Sequence, residues 1–222
     1  DGSVVGPCIV APAGACRLRS CPKDSDMGGQ GQPPKRTNVG AGTVTLAGPA
    51  GMMALGMNSD GSYGASLGSG EPWMGGESFT ITTTGDVAPA LSATILAPSR
   101  PRMQSPARPM DNAPPVAVTR AAGLPVTWTP TSPGTITLEV FGETATAFLY
   151  LFCDAPASAG SYTIAADALA MIPADATNPG VTANVATATT MMVGDWPVTL
   201  TAENVPDDDA QNLPWIFGIS WQ

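Results

Sequence analysis

From Thr43 onward apolar and polar residues alternate with a period of two. That spacing sets one face of a strand on a core and the other in water. A first block of short strands is predicted at Thr43–Ala47 (TVTLA), Met52–Met57, Ser62–Leu67, Glu77–Thr83 (ESFTITT) and Ala90–Leu96. Asn58-Ser-Asp-Gly61 reads as a hairpin turn, because Asp-Gly tolerates the positive φ of such turns. A second block follows: Val116–Thr119, Leu124–Thr129 (LPVTWT), Thr135–Phe141 (TITLEVF), Ala145–Cys153 (ATAFLYLFC), Ser161–Ile164, Val181–Thr190, Pro197–Ala202 and Trp215–Trp221. Only Ala165–Met171 carries a helical turn. Short strands with turn signals between them predict an all-β fold of antiparallel, Ig-like sandwich units. A parallel α/β sheet needs a helix after each strand, and the pattern offers none.

The alternation breaks twice. Residues 1–40 read as an irregular, Cys-containing segment with a linker at Asp24–Pro34. Residues 98–114 read as a connector rich in proline and arginine. The expected organisation is therefore 1–40 as an N-terminal segment, 41–97 as a small sandwich unit, 98–114 as a connector and 115–222 as an Ig-like unit. The small unit is short for a core of its own, so two blocks packed as one body is the alternative. A loose echo links them: Gly42-Thr-Val-Thr-Leu46 with Gly134-Thr-Ile-Thr-Leu138, and Ser78-Phe-Thr-Ile81 with Ser161-Tyr-Thr-Ile164.

Composition narrows the class. Charged residues are 12% of the 222, hydrophobic ones 43%, and Gly and Pro number 25 and 23. Apolar runs persist between the breakers, which argues for many turns rather than disorder. No apolar run is long enough for a transmembrane helix, and no signal peptide is visible. The start at Asp1 rather than Met agrees with an exported, processed chain or with a trimmed one. Cys8, Cys16 and Cys21 crowd a segment with little core, and Cys153 is remote. With no His and no CxxC pair, disulfides in an oxidising compartment explain them better than zinc. Four cysteines allow three pairings. Cys8–Cys16 with Cys21–Cys153 is the first guess, and a buried free thiol at Cys153 is the alternative.

Charge adds a map. All nine basic residues lie at or before Arg120, and ten of the eighteen acids follow it. An acidic body disfavours nucleic acid as a partner. Solubility explains the surplus of acids. The sharper reading is that the basic segments lie along the acidic body, within one chain or between neighbours.

The phrases GTVTLAG, GGESFTIT, ALSATILAP, LPVTWTP, GTITLEV and FCDAPASAGSYTIAADALAMIP resemble a pattern of uncharacterised secreted proteins and lipoproteins of Gram-negative soil bacteria. The resemblance covers roughly residues 40–200. It implies Ig-like or fibronectin-type sandwiches, with no activity and no site residues to carry over.

Chemistry is sparse. The absence of His removes the Ser-His-Asp triad and His metal ligands, and no phosphate-binding loop occurs. Asp207, Asp208 and Asp209 are a calcium candidate, since clustered carboxylates supply the oxygen ligands Ca²⁺ takes; a solvated loop is the plainer reading. Asp24 and Asp26 are a lesser one. Trp73, Trp215 and Trp221 are candidates for a glycan platform, whereas Trp128 sits inside an alternating strand and belongs to the core. The expected function is a non-catalytic secreted or cell-surface structural or adhesive protein that self-associates or binds an envelope or extracellular polymer. A carbohydrate-binding module and a carboxylate-based hydrolase are the alternatives.

Overall fold

The computed structural model describes residues 8–23, 40–59, 62–64, 73, 75–111, 113–208 and 214–222. The protein is all-β. In chain order the strands are β1 (Ile9–Ala13), β2 (Cys16–Pro22), β3 (Val44–Gly48), β4 (Gly51–Met57), β5 (Tyr63–Gly64), β6 (Ser78–Thr83), β7 (Leu91–Leu96), β8 (Arg102–Ser105), β9 (Val116–Val118), β10 (Leu124–Trp128), β11 (Thr135–Glu143), β12 (Ala147–Pro156) and β13 (Ser161–Ile164). A single-turn helix α1 (Ala166–Leu169) follows, then β14 (Thr177–Val193), β15 (Trp196–Asn204), β16 (Asp207–Asp208) and β17 (Ile216–Trp221).

Among the described residues these form three sheets. The largest runs β1-β2-β12-β11-β14-β17-β9, with β15 also paired to β14. A four-stranded sheet runs β13-β10-β8-β16 and a five-stranded one β5-β4-β3-β6-β7. Pairing is antiparallel except for β16 with β8 and β17 with β9. Alternation along β11 and β12 turns Ile136, Leu138, Val140, Leu149, Leu151 and Cys153 inward. They join Met103, Val126, Trp128 and Ile164 of the four-stranded sheet in one buried cluster, closed at one side by Leu169 and Ile172. Trp128 is 1% exposed, as its strand pattern predicts, and its indole N–H donates to Ala157 O at 2.7 Å.

Three expectations change. The N-terminal segment is not irregular where it is described. Residues 9–22 form a hairpin whose second strand pairs with β12 from Cys153↔Cys16 to Ala147↔Pro22. The segment 98–114 is more than a connector: it contains β8, whose Met103 is fully buried, so it is part of the sandwich. The first block does not close as a sandwich by itself. Its strands make one sheet, and the second layer over Phe79, Ile95 and Ala97 comes from Leu200 and Ala202 of β15. The two blocks therefore keep separate core clusters but share a body, since the β14–β15 ribbon serves both. The internal echo does not mark equivalent structural units. β3 and β6 are neighbours in one sheet, whereas β11 and β13 lie in different ones.

The predicted strand Ser62–Leu67 is reduced to Tyr63–Gly64 where it is described, and residues 65–67, like Asp60-Gly61 of the predicted turn and the Asp24–Pro34 linker, lie outside the described residues. No helix among the described residues is long and apolar enough to cross a membrane.

Candidate binding face

The outward positions of the largest sheet carry the densest chemistry. Register places Arg17, Phe152, Glu139 and Thr182 side by side across β2, β12, β11 and β14. The next row is Arg19, Tyr150, Phe141 and Gly180, and the one after is Cys21, Phe148, Glu143 and Thr177. Four aromatic rings thus share one partly exposed face. Tyr150 and Phe152 stack at 6.3 Å between centroids. The Phe141 ring lies against β14 so closely that a Cβ on Gly180 would sit 2.2 Å from its Cζ. Any larger residue there would have to displace that ring.

Cations cap the two ends of the aromatic row. The Arg17 guanidinium stands 5.4 Å from the Phe152 centroid and pairs with Asp154, which also accepts from Thr137 Oγ1 at 2.6 Å. Lys23 Nζ stands 5.4 Å from the Phe148 centroid and 2.9 Å from Glu143 Oε2. Such contacts fasten the N-terminal hairpin from outside. Glu143 is held below the usual carboxylate range by hydrogen bonds from Lys23 and Asn178. Glu139 is pushed the other way by burial among its neighbours and has no hydrogen-bond or ion-pair partner among the described residues.

Because the folded state raises the Glu139 pKa above 4.5, ionising it costs stability at every pH above that folded value. Glu139→Gln is therefore expected to raise the melting temperature at pH 7, with the gain fading as pH falls through the raised folded pKa toward 4.5 and lost in more acid solution, where the glutamic acid is neutral in both states. Melts of both proteins across acid pH check this; a gain that persists unchanged in acid assigns it to packing instead.

Among the described residues, three ion pairs follow the charge map within one chain. Arg17–Asp154, Lys23–Glu143 and Arg100–Asp207 each join an upstream cation to a downstream acid. Arg120 donates to the carbonyls of Leu169 and Ile172 and lies 5.3 Å from the Trp221 ring centroid.

The sequence-predicted sites fall elsewhere. Asp207 and Asp208 are not a solvated loop but are buried, at 6% and 1% exposure. Asp207 pairs with Arg100 at 2.8 Å, and Asp208 accepts the Arg108 backbone N–H at 2.9 Å. Their lone pairs are directed at protein donors, and no three-residue His/Cys/Asp/Glu metal group occurs among the described residues. Asp209, Asp24 and Asp26 lie outside them. Trp215 is fully buried, its indole donating to Pro106 O at 2.9 Å, which removes it from any platform. Trp73 is half-buried against Phe79, and Trp221 packs on the core edge. Trp196, at the ribbon tip, is 42% exposed.

The cysteines pair as Cys8–Cys21 and Cys16–Cys153, which overturns both the guess of Cys8–Cys16 with Cys21–Cys153 and the free thiol. Cys16 and Cys153 are cross-strand partners on the inner face, whereas Cys21 faces outward toward β1. A cleft of about 420 Å³ between β7 and β14 is lined by Thr94, Leu96, Gly134, Thr135 and Thr187 and holds no carboxylate. No family model and no curated protein matches the chain.

Proposed function

We propose that this is a non-catalytic, exported surface protein of structural or adhesive kind, and that the outer face of its largest sheet is the contact surface. The observation that carries this is the row of Phe141, Phe148, Tyr150 and Phe152, which stays partly exposed while Val140, Leu149, Leu151 and Cys153 of the inner face are buried. Exposed rings grouped on a rigid sheet are what recognition surfaces use, because they bury much area at little entropic cost. The two disulfides support an oxidising location. The resemblance to secreted and lipid-anchored bacterial sandwiches agrees with it. Arg17, Lys23 and Arg100 are paired internally, so the rings rather than unpaired charge drive association in this reading.

The same face favours a second reading, carbohydrate binding. Aromatic rings stack on the C–H faces of sugars, and Glu139, Asn184 and Thr182 border them with acceptors and donors for hydroxyls. It replaces the tryptophan platform. A Tyr150→Ser/Phe152→Ser variant, its fold verified by circular dichroism, is expected to lose at least tenfold in binding to envelope preparations, or in self-association by sedimentation. Retained binding at full strength rejects the face, and a glycan array on which only the wild type scores selects the second reading.

A further inference from the structure

Beyond its contact surface, we propose that Lys23 and Asn178 become joined by an intramolecular amide bond, formed at Glu143. The three side chains meet where the N-terminal hairpin ends. Lys23 directly follows β2, and its backbone N–H is fixed to Thr146 O at 2.8 Å. Its Nζ lies 2.9 Å from Glu143 Oε2. The amide nitrogen of Asn178 donates to the other oxygen, Glu143 Oε1, at 3.3 Å. One carboxylate thus holds an amine and a carboxamide at once. Phe148 stands over the lysine at 5.4 Å; the Lys23 and Glu143 side chains are 30% exposed, and Asn178 lies at the surface. Asn178 is held in a left-handed backbone conformation at φ 50°, and Thr177 Oγ1 donates to Glu143 O at 3.4 Å, which ties β14 to β11 at this point.

The chemistry balances without an added reagent. Glu143 takes a proton from the Lys23 ammonium across their hydrogen bond. The neutral amine attacks Asn178 Cγ, and the Nζ–Cγ bond forms. A second lysine proton passes through Glu143 to Nδ2, and the Cγ–Nδ2 bond breaks. Ammonia leaves and takes the remaining proton from Glu143 as ammonium, so the carboxylate ends as it began. At neutral pH the ion pair dominates, since Glu143 is held below its usual range. The neutral pair is therefore a minor state. A bond that has to form only once per molecule can form slowly through it. The common side reaction of asparagine is closed here: Pro179 has no backbone N–H to attack the Asn178 amide.

The new bond would complete a clamp. Cys16–Cys153 secures one end of β2, and the Lys23–Asn178 amide would secure the other end across β12, β11 and β14. The chain itself offers the readout. No Lys or Arg follows Arg120, so trypsin leaves residues 121–222 as one fragment. The experiment is to age the oxidised wild-type protein at mildly alkaline pH, reduce and alkylate it, digest with trypsin, and weigh intact protein and fragments. The expected result is a wild type lighter by one ammonia, with the Ser20–Lys35 peptide branched onto fragment 121–222 and no cleavage after Lys23. Lys23→Arg keeps the charge beside Glu143 and serves as the folded control; it and Asn178→Ala should show neither change. Glu143→Gln should fold with the bond slowed at least a hundredfold. A wild type of full mass that yields free Ser20–Lys23 after ageing overturns the proposal, and an undiminished rate in Glu143→Gln overturns the role given to Glu143.

Discussion

Replacing Cys16 and Cys153 together by alanine is expected to cost about 4–5 kcal/mol of folding stability, on the chain-entropy account of a long closed loop. The bond spans 137 residues of sequence, so removing it frees nearly two-thirds of the unfolded chain. It also sits inside the core, with Cys153 fully buried and Cys16 8% exposed, so alanines leave unfilled space as well. The Cys8–Cys21 bond spans 13 residues and lies at the hairpin edge; its loss should cost about 3 kcal/mol on the same scale. Guanidinium unfolding of the two double-alanine variants checks the order. It is best done in the Lys23→Arg background, where no second bond can hold β2 in place. Equal costs would mean that the inner bond is not what secures the hairpin.

The second large effect is expected at Arg100. Its guanidinium is three-quarters covered and faces the Asp207 carboxylate, which is 8% exposed, at 2.8 Å. Arg100 Nε also donates to Val205 O at 2.7 Å. Arg100→Ala leaves a buried carboxylate without its cation, a loss of about 3–5 kcal/mol. Asp207→Leu with Arg100→Leu should recover most of that, because an apolar pair carries no desolvation penalty. A double-mutant cycle read by denaturant midpoint isolates the pair. If both single variants are as stable as the wild type, the pair is not what holds the strand β16 against β8.

The strands of the second block were legible because β10 and β11 bury every other residue. β12 was legible as a strand but not as a surface. Its run ATAFLYLFC looks uniformly apolar, so the outward set of Phe148, Tyr150 and Phe152 does not stand apart from the inward Leu149, Leu151 and Cys153. Only register against β2 and β11 separates them, and register is a tertiary fact. In the N-terminal segment the signal was present but short. Cys16, Leu18 and Ser20 alternate with Arg17, Arg19 and Cys21, and Gly14 takes the positive φ of the turn. Small residues and prolines around them hide the period. β8 offers one inward side chain, Met103, in four residues, too few to show any period. The buried Asp207 and Asp208 run against every burial preference. Their pairing with Arg100 and with the Arg108 amide, a hundred residues upstream, explains them, and local sequence carries none of that. The Lys23–Glu143–Asn178 group is invisible for the same reason: its members are scattered along the chain and unremarkable one by one.

The placement of the first hairpin has a consequence for how the molecule is made. Cys8, Cys16 and Cys21 are synthesised early, whereas the strand that receives β2 follows more than a hundred residues later. During that interval three thiols share one short stretch, and the correct partner of Cys16 does not yet exist. Oxidation that outruns synthesis can trap Cys16 with Cys8 or Cys21, and such a bond must be exchanged before the sheet can close. Yield of the native protein should therefore depend on a disulfide isomerase, and not merely on an oxidant.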